Sequence, residues 1–154
     1  MSTEPETETA APRRADQAAI RQRIETLIRE LRAKDLDRLA ALYAPDVVSF
    51  DVEPPLQHVG LPAKLQNWSN AFAAFRELDY ELRDLALEVG DVVAFGHGFG
   101  RLSGTLATGL VTSGMWVRAT FCFRKVDDVW LIAHDHVSVP FDIRSGRGLT
   151  DLEP

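Results

Sequence analysis

The stretch FCFRKVDDVWLIAHDH, residues 121–136, is typical of a β-hairpin. Apolar and aromatic residues alternate with polar ones on both sides of Asp127-Asp128, a dipeptide that favours a tight turn. The pattern continues outward and predicts two long strands, Leu110–Val126 and Val129–Val139. Pro140 ends the second strand, because proline has no backbone N–H to donate to a neighbour.

Further strands precede this hairpin. Tyr80–Val89 and Val92–Ser103 both alternate, and the turn Gly90-Asp91 joins them. Short connections of this kind join antiparallel neighbours, so the sheet is expected to be antiparallel. A short strand, Val47–Asp51, is expected to join the same sheet.

The N-terminal half of the chain has the periodicity of helices, with apolar residues recurring at spacings of three and four. The segments with this spacing are Asp16–Lys34, Leu36–Tyr43 and Pro62–Arg76. Asp16 and Asp35 are predicted to be the N-cap residues of the first two helices. Helices that precede a run of hairpins predict an α+β fold, in which three helices pack on a strongly curved antiparallel sheet.

Length and composition limit the domain organisation, the partners and the location of the chain. The 154 residues suffice for one domain, which we expect to span residues 16–143 between a disordered tail (1–15) and a polar C-terminal tail (144–154). The net charge of −6 argues against nucleic acid or an anionic membrane as the main partner. Cys122 is the single cysteine, and no apolar run is long enough to cross a bilayer. A cytoplasmic protein is therefore expected.

Two segments resemble a known superfamily. Leu31–Val47 (LRAKDLDRLAALYAPDV) is similar to the opening of the nuclear-transport-factor-2-like (NTF2-like) superfamily, which includes SnoaL-like polyketide cyclases and ketosteroid isomerases. Phe121–His136 is similar to the last hairpin of SnoaL-like proteins. The resemblance implies a cystatin-like cone with a pocket at its open end, and a homodimer formed through the outer sheet face. It leaves the function open, because this fold hosts enzymes, binding proteins and dimerisation modules.

Asp51 is the first candidate catalytic residue. It ends the predicted strand Val47–Asp51, where a carboxylate at the mouth of an apolar pocket could act as a general base. The resemblance matches Asp51 to the base of ketosteroid isomerases, but Leu27 occupies the position of their helical tyrosine, and Trp116–Phe123 contains no acid. This departure argues against authentic steroid isomerisation. The alternative is that Asp51 caps the following loop.

The predicted strands carry further candidates, sorted by the side of the sheet on which they lie. One face of Val92–Ser103 holds Phe95, His97, Phe99, Arg101 and Ser103, and the other holds Gly96, Gly98 and Gly100. Glycines inside a strand indicate the close approach of another backbone or an aromatic ring. On the next two strands the shared faces are Trp116, Arg118, Thr120 and Cys122, and then Trp130, Ile132, His134, His136 and Ser138.

These sets could converge on the pocket beside Asp51, or they could lie on an outer face that is buried in a dimer. If they converge, the catalytic candidates are Asp51, His97, Arg118 and His136. The ligand-binding candidates are Phe50, Trp68, Phe99, Arg101, Trp116 and His134. His134 and His136 could also bind a metal, but no second short-spaced ligand pair supports one, and we expect none.

The predicted function is to bind a small, largely apolar carbonyl compound. Asp51 would move a proton α to the carbonyl group, while His97, Arg118 or His136 stabilises the developing oxyanion. This chemistry implies no cofactor. Two alternatives remain, namely a non-catalytic ligand-binding domain and a dimerisation module.

Overall fold

The computed structural model describes residues 7–154, with side chains described from residue 11 onward. Its helices are α1 (Thr7–Ala33), α2 (Leu36–Ala40) and α3 (Leu61–Ala74). Its strands are β1 (Tyr43–Phe50), β2 (His58–Val59), β3 (Phe75–Val89), β4 (Val93–Leu106), β5 (Val111–Thr112), β6 (Trp116–Val126), β7 (Val129–Ser138), β8 (Phe141–Asp142) and β9 (Arg147–Gly148). Within these residues, no helix has the length and apolar character needed to cross a membrane.

Helix α1 begins at Thr7, which corrects the expected disordered tail for residues 7–15. Residues 1–6 lie outside the described part of the chain. Residues 11–15 are exposed, so burial does not explain their helical state. The segment contains alanine and arginine, which favour helices, and extending an existing helix costs little compared with starting one.

Asp16 joins α1 to the last hairpin instead of capping the helix. Its Oδ1 atom accepts hydrogen bonds from Trp130 Nε1 and from Lys125 Nζ, each 3.0 Å long. The Trp130 hydrogen bond holds the pKa of Asp16 below its usual value against the opposing effect of burial, and Lys125 lowers it further. The contact therefore depends on the ionised carboxylate.

This dependence predicts a pH-sensitive stability. Because the pKa of Asp16 is lower in the folded chain than the unfolded value of 3.8, its contribution is complete above that value and is lost as the pH falls through the folded pKa. We expect Asp16→Asn to cost about 1 kcal/mol at neutral pH and much less in acid. Thermal melts at both pH values check this, and an equal loss in both would contradict it.

The sheet is mixed and mostly antiparallel, in the order β2-β1-β7-β6-β4-β3, with β5 paired to β4. Among the described strands, β1 and β7 form the one parallel pair, which sets Ser49 beside Asp135 and Phe50 beside His136. The predicted α+β fold with helices on a curved sheet is confirmed. The parallel pair departs from the all-antiparallel expectation because β1 and β7 are far apart in sequence, and no hairpin fixes their orientation.

Several element boundaries differ from the prediction. Helix α2 ends at Ala40, and Tyr43 begins β1 because the backbone of Ile132 donates a hydrogen bond to Leu42 and draws this segment into the sheet. Helix α3 ends at Ala74, and β3 starts directly at Phe75. The inner face of the sheet packs on the α1 stripe, and the core includes Ile20, Ile24, Leu27, Leu31, Phe121, Phe123, Trp130 and Ile132.

The glycines of β4 lie on the buried face of the sheet, where neighbouring atoms leave no room for a Cβ atom. A Cβ atom on Gly100 would overlap the hydroxyl of Tyr80 and lie 3.0 Å from its ring carbon Cζ. A Cβ atom on Gly98 would lie 2.8 Å from the backbone oxygen of Arg83. The predicted approach of an aromatic ring and of a backbone is confirmed. The opposite face of β4, with His97 and Phe99, points away from the helices.

A β-bulge at Ala133 reverses the alternation of β7. The pairing with β6 passes from Phe123 beside Ile132 to Cys122 beside His134, leaving Ala133 unmatched. Ile132 and Asp135 are therefore both buried on the inner side, whereas His136 is exposed. The predicted shared face of Trp130, Ile132, His134, His136 and Ser138 is wrong, because one extra residue changes the side on which all later residues lie.

The C-terminal segment is partly paired, where a polar tail from residue 144 was expected. Strands β8 and β9 form a small hairpin in which Phe141 lies beside Gly148. The Asp142 carboxylate accepts hydrogen bonds from the backbone N–H groups of Arg144 and Ser145, at 3.1 and 3.3 Å. An aspartate that closes a turn in this way accounts for the local order.

Candidate functional site

Polar side chains interrupt the apolar inner face where β1 and β7 run beneath α3. The Lys64 ammonium donates to Asp135 Oδ2 at 2.8 Å and to Ser49 Oγ at 2.9 Å, and the Ser49 hydroxyl donates to Asp135 Oδ1. Ser49, Lys64 and Asp135 are only 1%, 4% and 6% exposed. A buried ion pair of this kind is tolerated only when its hydrogen bonds are made.

Two aromatic side chains enclose the lysine. Its Nζ atom lies 5.6 Å from the ring centre of Tyr43 and 5.3 Å from that of Trp68, within the range of cation–π attraction. Trp68 follows Lys64 by one helical turn of α3, which puts both on one helix face. Trp68 Nε1 donates a hydrogen bond of 3.1 Å to the Tyr43 hydroxyl.

Tyr80 on β3 is a second buried tyrosine. It is 7% exposed, and Gly100 leaves room for its hydroxyl. Burial raises the pKa of Tyr80, and the charges of Tyr43 and Asp135 raise it further. Burial also raises the pKa of Tyr43 well above its usual value, with Asp135 next in importance. Both hydroxyls therefore stay protonated at neutral pH. We call Tyr43, Ser49, Lys64 and Asp135 the inner polar cluster.

Asp51 lies just beyond the end of β1 on the side that faces α3, and it is partly buried. Its Oδ2 atom accepts a hydrogen bond from Asn67, which lies one turn after Lys64, and its Oδ1 atom accepts one of 2.7 Å from the backbone of Val52. The negative charge of Asp51 also contributes to the raised pKa of Tyr43. Asp51 thus caps the loop and faces the site at once.

An open cleft of about 750 Å³ lies at this end of β1. It is lined by Phe50, by His136 and by the segment of residues 51–57, which includes Asp51 and two prolines. The Phe50 ring meets those of His134 and His136 edge-on, with centres 4.7 and 5.4 Å apart. Asp51 belongs both to this mainly apolar cleft and to the surroundings of the inner polar cluster.

The structure brings together only part of the predicted site. Phe50, Asp51, His134 and His136 gather at the cleft, and Trp68 lies inside against the inner polar cluster. The register places His134 beside Cys122 and His136 beside Thr120, on the outer sheet face that points away from the helices. The other predicted residues lie on that same face. These residues are His97, Phe99, Arg101, Trp116 and Arg118.

The outer residues have partners of their own. Arg83 and Arg101 lie over the ring of Trp116, at 4.5 and 4.6 Å from its centre, and Arg101 forms a 3.0 Å ion pair with Glu81. Arg118 Nε donates a hydrogen bond of 3.1 Å to Ser138 Oγ. Within residues 7–154, no group of three or more His, Cys, Asp and Glu side chains could hold a metal ion.

Sequence patterns missed most of the inner polar cluster. Lys64 could have been noticed, because a charged residue falls there within the apolar stripe of α3, next to Leu65 and one turn before Trp68. Asp135 could not, because unbroken alternation assigns it to the same side as Ala133, and only the bulge turns it inward. Tyr43 was expected to end a helix, so its role as the first residue of β1 was not visible.

Comparison with known proteins supports the fold. A family model for the SnoaL-like domain matches residues 20–142. A crystal structure of an NTF2-like protein of unknown function from Pseudomonas putida has a TM-score of 0.81 at 29% identity, with 91% of this chain and 97% of that chain covered. An NTF2-like superfamily protein from Salmonella enterica has a TM-score of 0.72 at 18% identity, covering 84% of this chain and 94% of that one.

One similar structure is that of an enzyme. A type 2 hexachlorocyclohexane dehydrochlorinase, LinA, has a TM-score of 0.67 at 21% identity, and the match covers 81% of this chain and 85% of the enzyme. At this identity the likeness concerns the fold alone. A comparison with curated proteins found no significant match.

Proposed function

The chain belongs to the SnoaL-like family, and from this premise we propose that it binds a small, largely apolar carbonyl compound and moves a proton α to the carbonyl group. Asp51 is the base. The observation that carries the proposal is the position of Asp51, which lines an apolar cleft and accepts a hydrogen bond from Asn67, on the same helix as Lys64 of the inner polar cluster. A ligand with an apolar body and a carbonyl oxygen needs an apolar surface and hydrogen-bonding groups close to each other.

The contacts of Asp51 suit a base. Asn67 and the backbone of Val52 orient the carboxylate, and among the described residues no cation forms an ion pair with it. Each oxygen has a second lone pair, so one of them remains available to accept a proton from carbon. In the reaction the C–H electrons move into the adjacent C–C bond and the carbonyl electrons move to oxygen. Return of the proton from Asp51 to another carbon completes an isomerisation.

Replacing Asp51 with asparagine tests the proposal. Asn keeps the size and the backbone contact but cannot take a proton, so we expect α-proton exchange of a bound ketone to slow by about 10²–10⁴-fold. Exchange is followed by NMR in deuterated buffer over a panel of cyclic enones. Glu53→Gln is the matched control, because Glu53 lines the same cleft and is exposed.

The outcomes separate the alternatives. Equal exchange in wild type and Asp51→Asn would remove Asp51 from the mechanism and leave it as a loop cap. Ketones that bind to the wild type without any exchange would favour a non-catalytic ligand-binding domain.

We also propose a C2 homodimer that forms through the outer sheet face. Phe95 on this face is 48% exposed. Arg101 lies further along the same strand, and Trp116 and Arg118 lie on the neighbouring strand β6. Aromatic and arginine side chains are common at the centres of interfaces, and a partner subunit would cover the exposed ring of Phe95.

The dimer makes a direct prediction. Phe95→Glu should convert the dimer to a monomer, because it places charges at the interface on both subunits. Val111→Glu is the control, since Val111 is 82% exposed on β5. Light scattering at micromolar concentration measures the mass. A monomeric wild type would contradict the proposal.

A further inference from the structure

The outer sheet face is basic at one end. Arg83 and Arg101 share a single carboxylate, that of Glu81, to which they form ion pairs of 3.2 and 3.0 Å. Arg118 donates a hydrogen bond to a neutral hydroxyl and forms no ion pair with a described residue. At this end of the face the three arginines therefore carry more charge than their acidic partner balances.

The same face is acidic at its other end, where the β3–β4 and β6–β7 turns lie. Glu88 of β3 and the turn residues Asp91, Asp127 and Asp128 are all exposed. None of these four acids forms an ion pair with a described residue, whereas the cations of β6 at this end already have acidic partners elsewhere in the chain. This end of the face therefore carries unbalanced negative charge.

The two kinds of charge lie at equal distances from the middle of the face. On the edge strand β3, the register sets Arg83 beside Phe99 and Glu88 beside Phe95. Both phenylalanines lie two residues from His97 along β4. About 13 Å of strand therefore separates the basic row from the acidic row, with His97 halfway between them.

This symmetry distinguishes two ways in which a second copy can cover the face. Two copies that meet face to face are related by a twofold axis that lies in the interface. An axis along the strands would bring like ends together, so that the arginines of the two copies face one another. An axis across the strands at His97 brings each basic end onto the acidic end of the other copy, with Phe95 over the partner's Phe99.

We propose that the charges select the second arrangement, so that the strands of the two sheets run antiparallel across the interface and Arg83 pairs with the partner's Glu88. The inference rests on the proposed homodimer and deepens it, because it defines the orientation of the subunits and the contacts that exclude the other orientation. The occupant of the face is a second copy, since a surface that carries both charges in symmetric positions is complementary to itself.

The charges and the aromatic rows have different effects on association. Charges across an interface determine orientation and association rate more than affinity, and repulsion between like charges excludes wrong arrangements. Aromatic side chains near the centre of an interface contribute most to affinity. Salt should therefore slow the association of wild-type subunits, because it screens charges that are exposed before contact.

The test exchanges charges between the two ends. Arg83→Glu and Glu88→Lys each make both contacts of a homodimer repulsive, so we expect the dissociation constant of each variant to rise about tenfold or more. A mixture of the two variants restores opposite charges at both contacts and should form mainly heterodimers. Native mass spectrometry of full-length chains, one of them tagged, measures the three dimers. Arg21→Glu and Glu25→Lys are the matched controls, because both residues are exposed on α1, and their mixture should give the statistical distribution.

The outcomes separate this inference from the proposed function. A dimeric wild type whose charge variants mix statistically would overturn the antiparallel arrangement and leave the homodimer in place. A monomeric wild type would overturn both, whereas the role of Asp51 is measured separately by proton exchange. Arg83 also lies over the ring of Trp116, so Arg83→Glu can fail to fold. Glu88→Lys then serves alone, and an unchanged dissociation constant for this variant would contradict the inference.

Discussion

Replacing Lys64 with methionine is expected to lower the free energy of unfolding by about 3–5 kcal/mol. Methionine fills a similar volume, so the loss comes from the charge and not from a cavity. Without the ammonium, the carboxylate of Asp135 stays buried with Ser49 as its one remaining partner among the described residues. A buried charge that has lost its partner destabilises a protein far more than the loss of an ion pair exposed to water does. Urea denaturation measures the change.

The chain contains a matched control for this experiment. Lys125 forms a 3.0 Å ion pair with Asp16 and lies 5.6 Å from the ring centre of Trp130, much as Lys64 lies beside Asp135 and Trp68. Its side chain is 24% exposed, compared with 5% for Lys64. Because water screens the outer pair, Lys125→Met should cost about 1 kcal/mol or less.

A second variant distinguishes the effect of removing the whole ion pair from the effect of removing the lysine alone. The double variant Lys64→Met/Asp135→Leu removes both charges, and we expect it to recover most of the loss, since apolar groups often replace a buried ion pair without penalty. Additive losses from the two single changes would contradict the structure, because they would show that Lys64 and Asp135 do not interact.

Gly100→Ala is expected to destabilise the fold by about 1–3 kcal/mol. The added methyl group would overlap the Tyr80 hydroxyl, and the backbone of β4 cannot retreat because β6 and β3 pair with it on both sides. Tyr80 must then move. Thermal melts measure the loss of stability.

The double variant Gly100→Ala/Tyr80→Phe checks the cause. Without the hydroxyl, the nearest ring atom lies 3.0 Å from the new methyl group, so a small shift of the ring relieves most of the strain. We expect it to be more stable than Gly100→Ala alone. If it is less stable, the cost of the alanine does not arise from contact with Tyr80.

Local patterns in the sequence were sufficient for the elements and the fold class. The alternation around Asp127-Asp128 identified the β6–β7 hairpin, and the spacing of Ile20, Ile24 and Leu27 identified the face of α1 that packs on the sheet. The glycines of β4 indicated a close approach that the structure finds at Tyr80. These features depend on neighbours in sequence, which local patterns record directly.

The composition of the site was decided by tertiary structure. Alternation sorts residues into two faces but does not say which face meets the helices, so His97 and Arg118 could not be assigned to the outer side in advance. One unmatched residue at Ala133 turned Asp135 inward. Asp51 was identifiable because it directly follows a strand, whereas the Lys64–Asp135 pair depends on a contact between distant segments that no local period encodes.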